Sequence, residues 1–195
     1  MGQAAAIDTG NQLFKSAHSA LTFAFHFSGQ HYDRPAMNKL AAPTLGSGKG
    51  LVGLDGAGQA GMIRSRVHGL GVRMEAVLIA RYAPATMPCD CRAPCCAGWK
   101  TNREWFDAVT ELSDYVRDPL AGTAANGLMR RLYVERFFAA KGKRQTIDEI
   151  AERGDINRQT AGQHYSKVNK VLQELESTAQ QAIDNALRDV GLLED

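Results

Sequence analysis

The chain has 195 residues, a formal net charge of +2 and an aromatic content of 7%, and this length can bury one core or two small domains. A charge so close to neutral argues neither for nor against a nucleic-acid partner, so local clusters of charge must decide. No apolar stretch is long enough to span a membrane, and the N-terminus has no export signal. We therefore expect a cytoplasmic protein in a reducing compartment, without a membrane partner.

The first half of the chain alternates between helical patterns and glycine-rich stretches. Apolar residues at helical spacing predict a helix over Asn11–Phe27. The following stretch, 28–53, is rich in Gly, Pro, Ser and Asn, which predicts a loop or flexible linker. A second helix is expected to start at Asp55, whose carboxylate can act as its N-cap. It should loosen near Gly69–Gly71 and resume over Val72–Tyr82.

The second half has clearer boundaries. All four cysteines and three prolines lie within Ala83–Gly98, and this composition excludes a regular helix there. Asn102 is expected to cap the next helix, and Pro119–Gly122 to break the chain again. Because no alternation of period two is present, the remaining elements are also predicted to be helices. They cover three approximate ranges: Ala124–Ala140, Ile147–Arg153, and Arg158 towards Leu187.

Residues 146–176, TIDEIAERGDINRQTAGQHYSKVNKVLQELE, have the pattern of a helix-turn-helix. Ala151 supplies the small residue that two steeply crossing helices need at their closest contact. Gly154 and Asp155 reverse the chain, with Asp155 standing where glycine is usual. Asn157 is a suitable N-cap for the second helix. The pattern favours DNA binding, and the alternative is an ordinary helical hairpin with a solvated polar face.

Two groups of side chains are candidates for contact with DNA. One face of the second helix should point towards the protein core and carries Thr160, Ala161 and Tyr165. The opposite face carries side chains that suit base edges and phosphates. A basic strip on and after the preceding helix would add phosphate contacts, unless it is simply solvated. The candidates in the second helix are Asn157, Arg158, Gln159, Gln163, His164 and Lys167, and those in the strip are Arg130, Arg131, Lys143 and Arg144.

The segment PCDCRAPCC brings four cysteines into eight residues: Cys89, Cys91, Cys95 and Cys96. Four thiolates satisfy a tetrahedral zinc ion, and the flanking prolines limit the entropy lost on binding, so we predict a structural zinc site. Two alternatives stay open. His31 or His68 replaces one of the adjacent cysteines, or the cysteines form disulfides, which a reducing compartment disfavours. The motif of zinc deaminases is missing, and we predict no catalytic residue and no enzymatic activity.

The predicted fold is mainly α: a helical body with a short zinc-binding loop and a C-terminal helix-turn-helix. We expect three regions: an N-terminal helical region with a Gly-rich loop at 1–82, the cysteine knuckle and its following helix at 83–122, and the helix-turn-helix with a long C-terminal helix at 123–195. Beyond Lys170, acids dominate the exposed side of the last helix. That half is expected to pack on the body of the protein or on a second copy.

Three features together resemble the phage Q-class transcription antitermination proteins. They are the helical segment GLDGAGQAGMIRSRV, the knuckle CDCRAPCCAGWKTNREW, and a helix-turn-helix similar to region 4 of bacterial sigma factors. The resemblance implies a factor in a bacterial or phage-infected cell that binds double-stranded DNA near a promoter. It also implies loading onto paused bacterial RNA polymerase and readthrough of terminators. The alternatives are a conventional dimeric activator or repressor and, more distantly, a zinc-dependent nucleic-acid enzyme.

Overall fold

The structure is a computed structural model that describes residues 14–27, 54–89, 91, 96–123, 125–140 and 142–193. The chain divides into two compact units, one of Met1–Arg66 with Gln181–Asp195 and the other of Val67–Gln180. The described residues are 69% helical, with seven α-helices and little strand, which confirms the predicted mainly α fold. No helix among them is both long and apolar enough to cross a membrane. The predicted loop at 28–53 lies outside the described residues.

The first helix, α1, spans Ala17–His26. It begins later than predicted because Ser16 acts as its N-cap: the Ser16 hydroxyl accepts a hydrogen bond from the Ser19 N–H at 3.3 Å. Phe14, expected within the helix, instead donates its backbone N–H to the Leu192 carbonyl at 3.0 Å. A cap requires extended backbone, so Ser16 excludes Phe14 and Lys15 from the helix.

The next two helices, α2 at Leu54–His68 and α3 at Val72–Tyr82, follow the predicted pattern closely. Because α2 already starts at Leu54, Asp55 lies inside its first turn and not before it. Between the helices Gly71 has a φ of +90°, a conformation that glycine adopts without strain. The middle of α3 is buried, which ties it to the core of its unit.

A short antiparallel hairpin follows, formed by β1 at Thr86–Pro88 and β2 at Trp99–Thr101. The region was predicted to be non-helical, but the strands themselves were not predicted. All six strand residues are exposed, so burial imposes no alternation of apolar and polar residues that the sequence could show. The predicted cap is confirmed at the end of β2: Asn102 accepts from the Glu104 N–H at 3.1 Å, and α4 follows at Arg103–Tyr115.

The remaining helices are α5 at Gly127–Phe138, α6 at Ile147–Arg153 and α7 at Arg158–Arg188, after a short 3₁₀ turn at Asp118–Leu120. The bounds of α6 agree with the prediction, and α7 ends one residue past Leu187. The helix α5 is shorter than expected because Asn126 caps its start and the backbone becomes extended at Ala139. In the Val67–Gln180 unit α3 packs on α4, α4 on α5, and α5 on α6.

Candidate nucleic-acid interface and metal site

Local side-chain chemistry defines where α6 begins. The Thr146 hydroxyl accepts from the Glu149 N–H at 3.2 Å, and the Glu149 carboxylate accepts from the Thr146 N–H at 2.7 Å. This reciprocal capping box satisfies two backbone donors that would otherwise lack a partner in the first turn. The start of the helix-turn-helix is therefore encoded within four residues of sequence.

The two residues of the turn after α6, Gly154 and Asp155, are constrained for different reasons. Asp155 has a φ of +49°, the left-handed conformation that glycine favours, as its position in the pattern predicted. Gly154 has an ordinary φ of −89°, but a Cβ atom there would lie 2.6 Å from the Met129 Sδ atom. Met129 on α5 is fully buried. A side chain at 154 would therefore require the Met129 side chain on α5 to move, although the backbone at 154 is ordinary.

The second helix presents most of the predicted DNA-contacting residues to solvent. Its start is capped as expected, since the Asn157 Oδ1 atom accepts from the Gln159 N–H at 2.7 Å. Gln159, Gln163 and Lys167 are four residues apart, so they line one side of α7. The exposed candidates in this helix and its cap are Asn157, Arg158, Gln159, Gln163 and Lys167.

His164 does not lie on that exposed face, and its predicted position was wrong. It is 4% exposed, and its Nδ1 atom lies 3.4 Å from the Tyr133 hydroxyl. Burial lowers the pKa of His164, with a smaller effect from the Lys167 charge, and burial raises the pKa of Tyr133 to about 12. The signal was present in the sequence, because position 164 falls between the buried Ala161 and Val168 at helical spacing.

The predicted core residues of α7 reach different depths. Ala161 is fully buried, whereas Thr160 and Tyr165 are half-buried. The Tyr165 ring lies 6.2 Å from that of Tyr133, and the Arg136 guanidinium stands 5.0 Å from its centroid. Aromatic and cation–π contacts therefore join α5 and α7.

Two of the four residues in the predicted basic strip, Arg130 and Arg131, are engaged inside the protein. The Arg130 side chain, 18% exposed, donates from Nε to the Ser113 carbonyl at 3.1 Å. Arg131 donates from Nε to Glu135 at 2.8 Å and lies 4.1 Å over the Phe106 ring. These contacts correct the prediction that both arginines belong to a phosphate-binding strip, because Arg130 already binds α4 and Arg131 is paired within α5 and stacked on the Phe106 ring of α4.

The other two members of the strip are exposed. Lys143 and Arg144 lie in the segment between α5 and α6, and both side chains are open to solvent. Arg144 also donates from Nε to the Ala139 carbonyl at 2.9 Å. Lys143 and Arg144 are therefore the members of the predicted strip that are exposed to solvent.

One residue beside the exposed face was missed by the sequence reasoning. The Asp148 carboxylate in the first turn of α6 lies 2.7 Å from the Arg158 Nε atom at the start of α7. The two positions are ten residues apart, so no local helical spacing joins them, and only the turn brings them together. An acidic residue in the first turn of α6 is visible in the sequence, but its pairing with Arg158 is not.

The cysteines cluster at the tip of the hairpin. Cys89 directly follows β1, and Cys96 lies shortly before β2. The Cys89 N–H donates to the Gly98 carbonyl at 2.9 Å, and the Gly98 N–H lies 3.4 Å from the Cys96 sulfur. The first of these bonds brings the two ends of the loop together, so residues seven positions apart share one site.

The described thiols have a geometry that could hold a metal ion. The sulfur atoms of Cys89, Cys91 and Cys96 all lie within 4.8 Å of one another, and none of the three is in a disulfide. Tetrahedral zinc with Zn–S bonds of about 2.3 Å holds its sulfurs about 3.8 Å apart, so a small contraction would accommodate it. Cys95, the fourth predicted ligand, lies outside the described residues.

The alternative histidine ligands receive no support within the described part of the chain. His68 is 82% exposed, and its Nδ1 atom lies 3.1 Å from the Glu75 carboxylate. The described metal-capable cluster contains cysteines alone, and His31 lies outside the described residues. A hydrogen bond with the Cys91 thiol raises the pKa of Cys96, the Gly98 N–H opposes this, and the Cys89 thiol adds to the increase.

The fold and these sites define a mainly α protein with a cysteine cluster that could hold a metal ion. Comparison of the chain with protein-family models, with curated proteins and with solved structures finds no match. Membership of a family is therefore not shown, and the resemblance to Q-class antitermination proteins stays a prediction from the residues.

Proposed function

We propose that the chain binds double-stranded DNA through the first turns of α7 and acts from that site as a transcription antitermination factor. The observation that carries the DNA-binding part is the exposed line of Gln159, Gln163 and Lys167, next to Arg158 at the start of the helix. Helix-turn-helix proteins insert the N-terminal turns of the second helix into the major groove. The exposed line occupies those turns of α7.

The chemistry of this line fits a duplex. Glutamine can pair with the N6 and N7 atoms of adenine, and arginine with the O6 and N7 atoms of guanine. Lys167, one to two turns further on, supplies a charge suited to the phosphate backbone. Lys143 and Arg144, both exposed before α6, would add phosphate contacts from a neighbouring segment.

The antitermination role rests on the resemblance, which also suggests bacterial RNA polymerase as the partner. Its support is the order of elements along the chain: a helical segment, a cysteine loop and a helix-turn-helix. Readthrough of a terminator by purified bacterial polymerase, dependent on this protein and on a promoter-proximal DNA sequence, is the expected result. A symmetric footprint with release of the protein at promoter clearance would instead favour a dimeric activator or repressor.

We also propose that the metal is zinc and that its role is structural. Cys89, Cys91 and Cys96 would each supply a thiolate, and Cys95 would complete a four-cysteine site. Zinc bound by four thiolates has no open position for substrate, so it would hold the hairpin loop and perform no chemistry. Metal analysis of the purified protein tests the identity of the ion.

Variants of exposed residues test the DNA site directly. Arg158→Ala and Gln163→Ala should each weaken binding to the selected duplex by about 1–3 kcal/mol, because each loses a base contact. Gln173→Ala is the matched control, since Gln173 is also exposed on α7 but lies beyond its N-terminal turns. Binding titrations at one fixed salt concentration give the affinities. Unchanged affinity in both test variants would remove α7 as the recognition helix.

A further inference from the structure

Arg158 and Asp148 form an ion pair at the edge of the proposed DNA-binding face. The Arg158 Nε atom lies 2.7 Å from the Asp148 Oδ1 atom, yet the side chains are 75% and 63% exposed, respectively. Arg158 is the first residue of α7, and Asp148 is the second residue of α6. The pair thus joins the two helices of the helix-turn-helix on their solvent side.

An ion pair this exposed contributes little to folding, because water and salt screen it and two side chains must be held in one geometry. Its main physical consequence is orientation. A free arginine side chain samples many rotamers, whereas Asp148 holds this guanidinium by its Nε edge. The terminal Nη1 and Nη2 atoms form the remaining edge of the guanidinium plane, and the high exposure of Arg158 is consistent with an open approach to that edge.

Two terminal N–H groups in a fixed plane match the O6 and N7 atoms of guanine in the major groove. A carboxylate next to DNA would by itself weaken binding, because it repels phosphates. A carboxylate beside the first residue of α7 is therefore unfavourable for DNA binding unless it has a second role. Orientation of the Arg158 guanidinium towards a base edge is such a role. Fewer rotamers then have to be lost when the arginine binds, which favours the correct base over others.

We infer that Asp148 is a positioning residue for Arg158 and that the pair specifies a guanine in the DNA site. This inference rests on the proposed DNA binding through α7. A positioning role for Asp148 and simple repulsion of phosphates by its charge predict different results. Loss of the Asp148 charge should strengthen non-specific binding if the residue only repels phosphates, but should reduce the preference for guanine if the residue orients Arg158.

The experiment is selection of binding sites from a random-sequence duplex library by the full-length chain, followed by titration of the selected site with each base at each position. Four proteins are compared: wild type, Arg158→Ala, Asp148→Asn and Glu152→Gln. Glu152 is the matched control because it lies one turn from Asp148 on α6 and is also exposed. Circular dichroism and a melting curve check that each variant is folded.

We expect the wild type to prefer guanine at one position and Arg158→Ala to lose that preference. Asp148→Asn should reduce the same preference by roughly two- to fivefold, because an exposed ion pair supplies no more than this, while Glu152→Gln keeps it. An unchanged preference in Asp148→Asn would overturn the inference and leave the proposed function intact. The inference would also be overturned if Asp148→Asn lost a preference for cytosine that Arg158→Ala keeps, because Asp148 would then contact the base itself. Failure of the wild type to enrich any sequence would overturn the specific DNA binding on which the inference rests.

Discussion

The helix-turn-helix and the cysteine hairpin lie in the same compact unit, but different forces stabilise them. The former has fully buried side chains along its helices, such as Ile150 on α6 and Ala161, Val168 and Leu172 on α7. The strands of the hairpin are exposed along their whole length, and Trp99 is 63% exposed. Packing therefore determines the geometry of the first region, whereas the second must depend on hydrogen bonds and on its cysteine cluster.

One residue, Asn102, holds the base of the hairpin through both its backbone and its side chain. Asn102 donates its backbone N–H to the Ala85 carbonyl at 3.0 Å and its Nδ2 to the Pro84 carbonyl at 2.8 Å, in addition to capping α4. At the opposite end the thiols of Cys89, Cys91 and Cys96 come together. A two-stranded hairpin alone is at best marginally stable in water, so a metal at the tip would have a large local effect.

Removal of the proposed zinc ion should give the largest effect and should show that the two regions are stabilised independently. Cys89→Ser with Cys96→Ser should reduce bound zinc from about one ion per chain to none, because two remaining cysteines cannot complete a tetrahedral site. Amide exchange should accelerate in 84–102 but change little in α5 and α7, which have their own core. Metal analysis with hydrogen-exchange mass spectrometry measures both. Retained zinc, or equal acceleration in both regions, would contradict this division.

A test of packing in the helix-turn-helix comes next in size. Gly154→Ala should lower the free energy of unfolding by about 1–3 kcal/mol, because the new Cβ atom would overlap the buried Met129 side chain. Met129→Ala alone should cost about 2–5 kcal/mol. The double variant should cost less than the sum, since the methyl group would enter the space that Met129 vacates. Denaturant unfolding gives the three values, and strict additivity would argue against this contact.

Variants of Arg130 and Lys143 test which cations are structural and which are available for the proposed DNA binding. Arg130→Ala should lower stability by about 1–3 kcal/mol, because it removes the donor to the Ser113 carbonyl. Lys143→Ala should leave stability nearly unchanged but reduce the slope of log affinity against log salt by about one. Salt titrations and denaturant unfolding of both variants provide the measurements. The reverse assignment would restore Arg130 to the DNA-binding strip.

The smallest expected effect is a dependence of stability on pH from His164. Burial lowers the pKa of His164 in the folded state below the value of 6.5 for an ordinary histidine. As the pH falls, the unfolded chain therefore binds a proton first. The contribution of His164 is fully present above about pH 6.5 and is lost below it. The change in unfolding free energy between about pH 7.5 and pH 5.5 should be smaller in His164→Gln than in wild type; an equal change would refute the assignment.

Much of the helical fold is determined by residues close together in sequence. Asn102 and Asn157 cap helices as predicted, the glycines near position 70 separate two helices, and α6 agrees with its predicted bounds. Caps, glycine turns and prolines act over a few residues, so a sequence pattern can reveal them. The short strands of the hairpin left no such pattern, because neither face of them is buried.

The sequence by itself thus determined the mainly α fold, the boundary residues of the turn after α6 and the clustering of the cysteines. Tertiary structure alone decided which polar side chains are available. Arg130 is engaged by α4, and Asp148 meets Arg158 across ten residues of chain. The reason is physical: a helix pattern shows which residues share a face, but only the packing of other helices determines which face meets water.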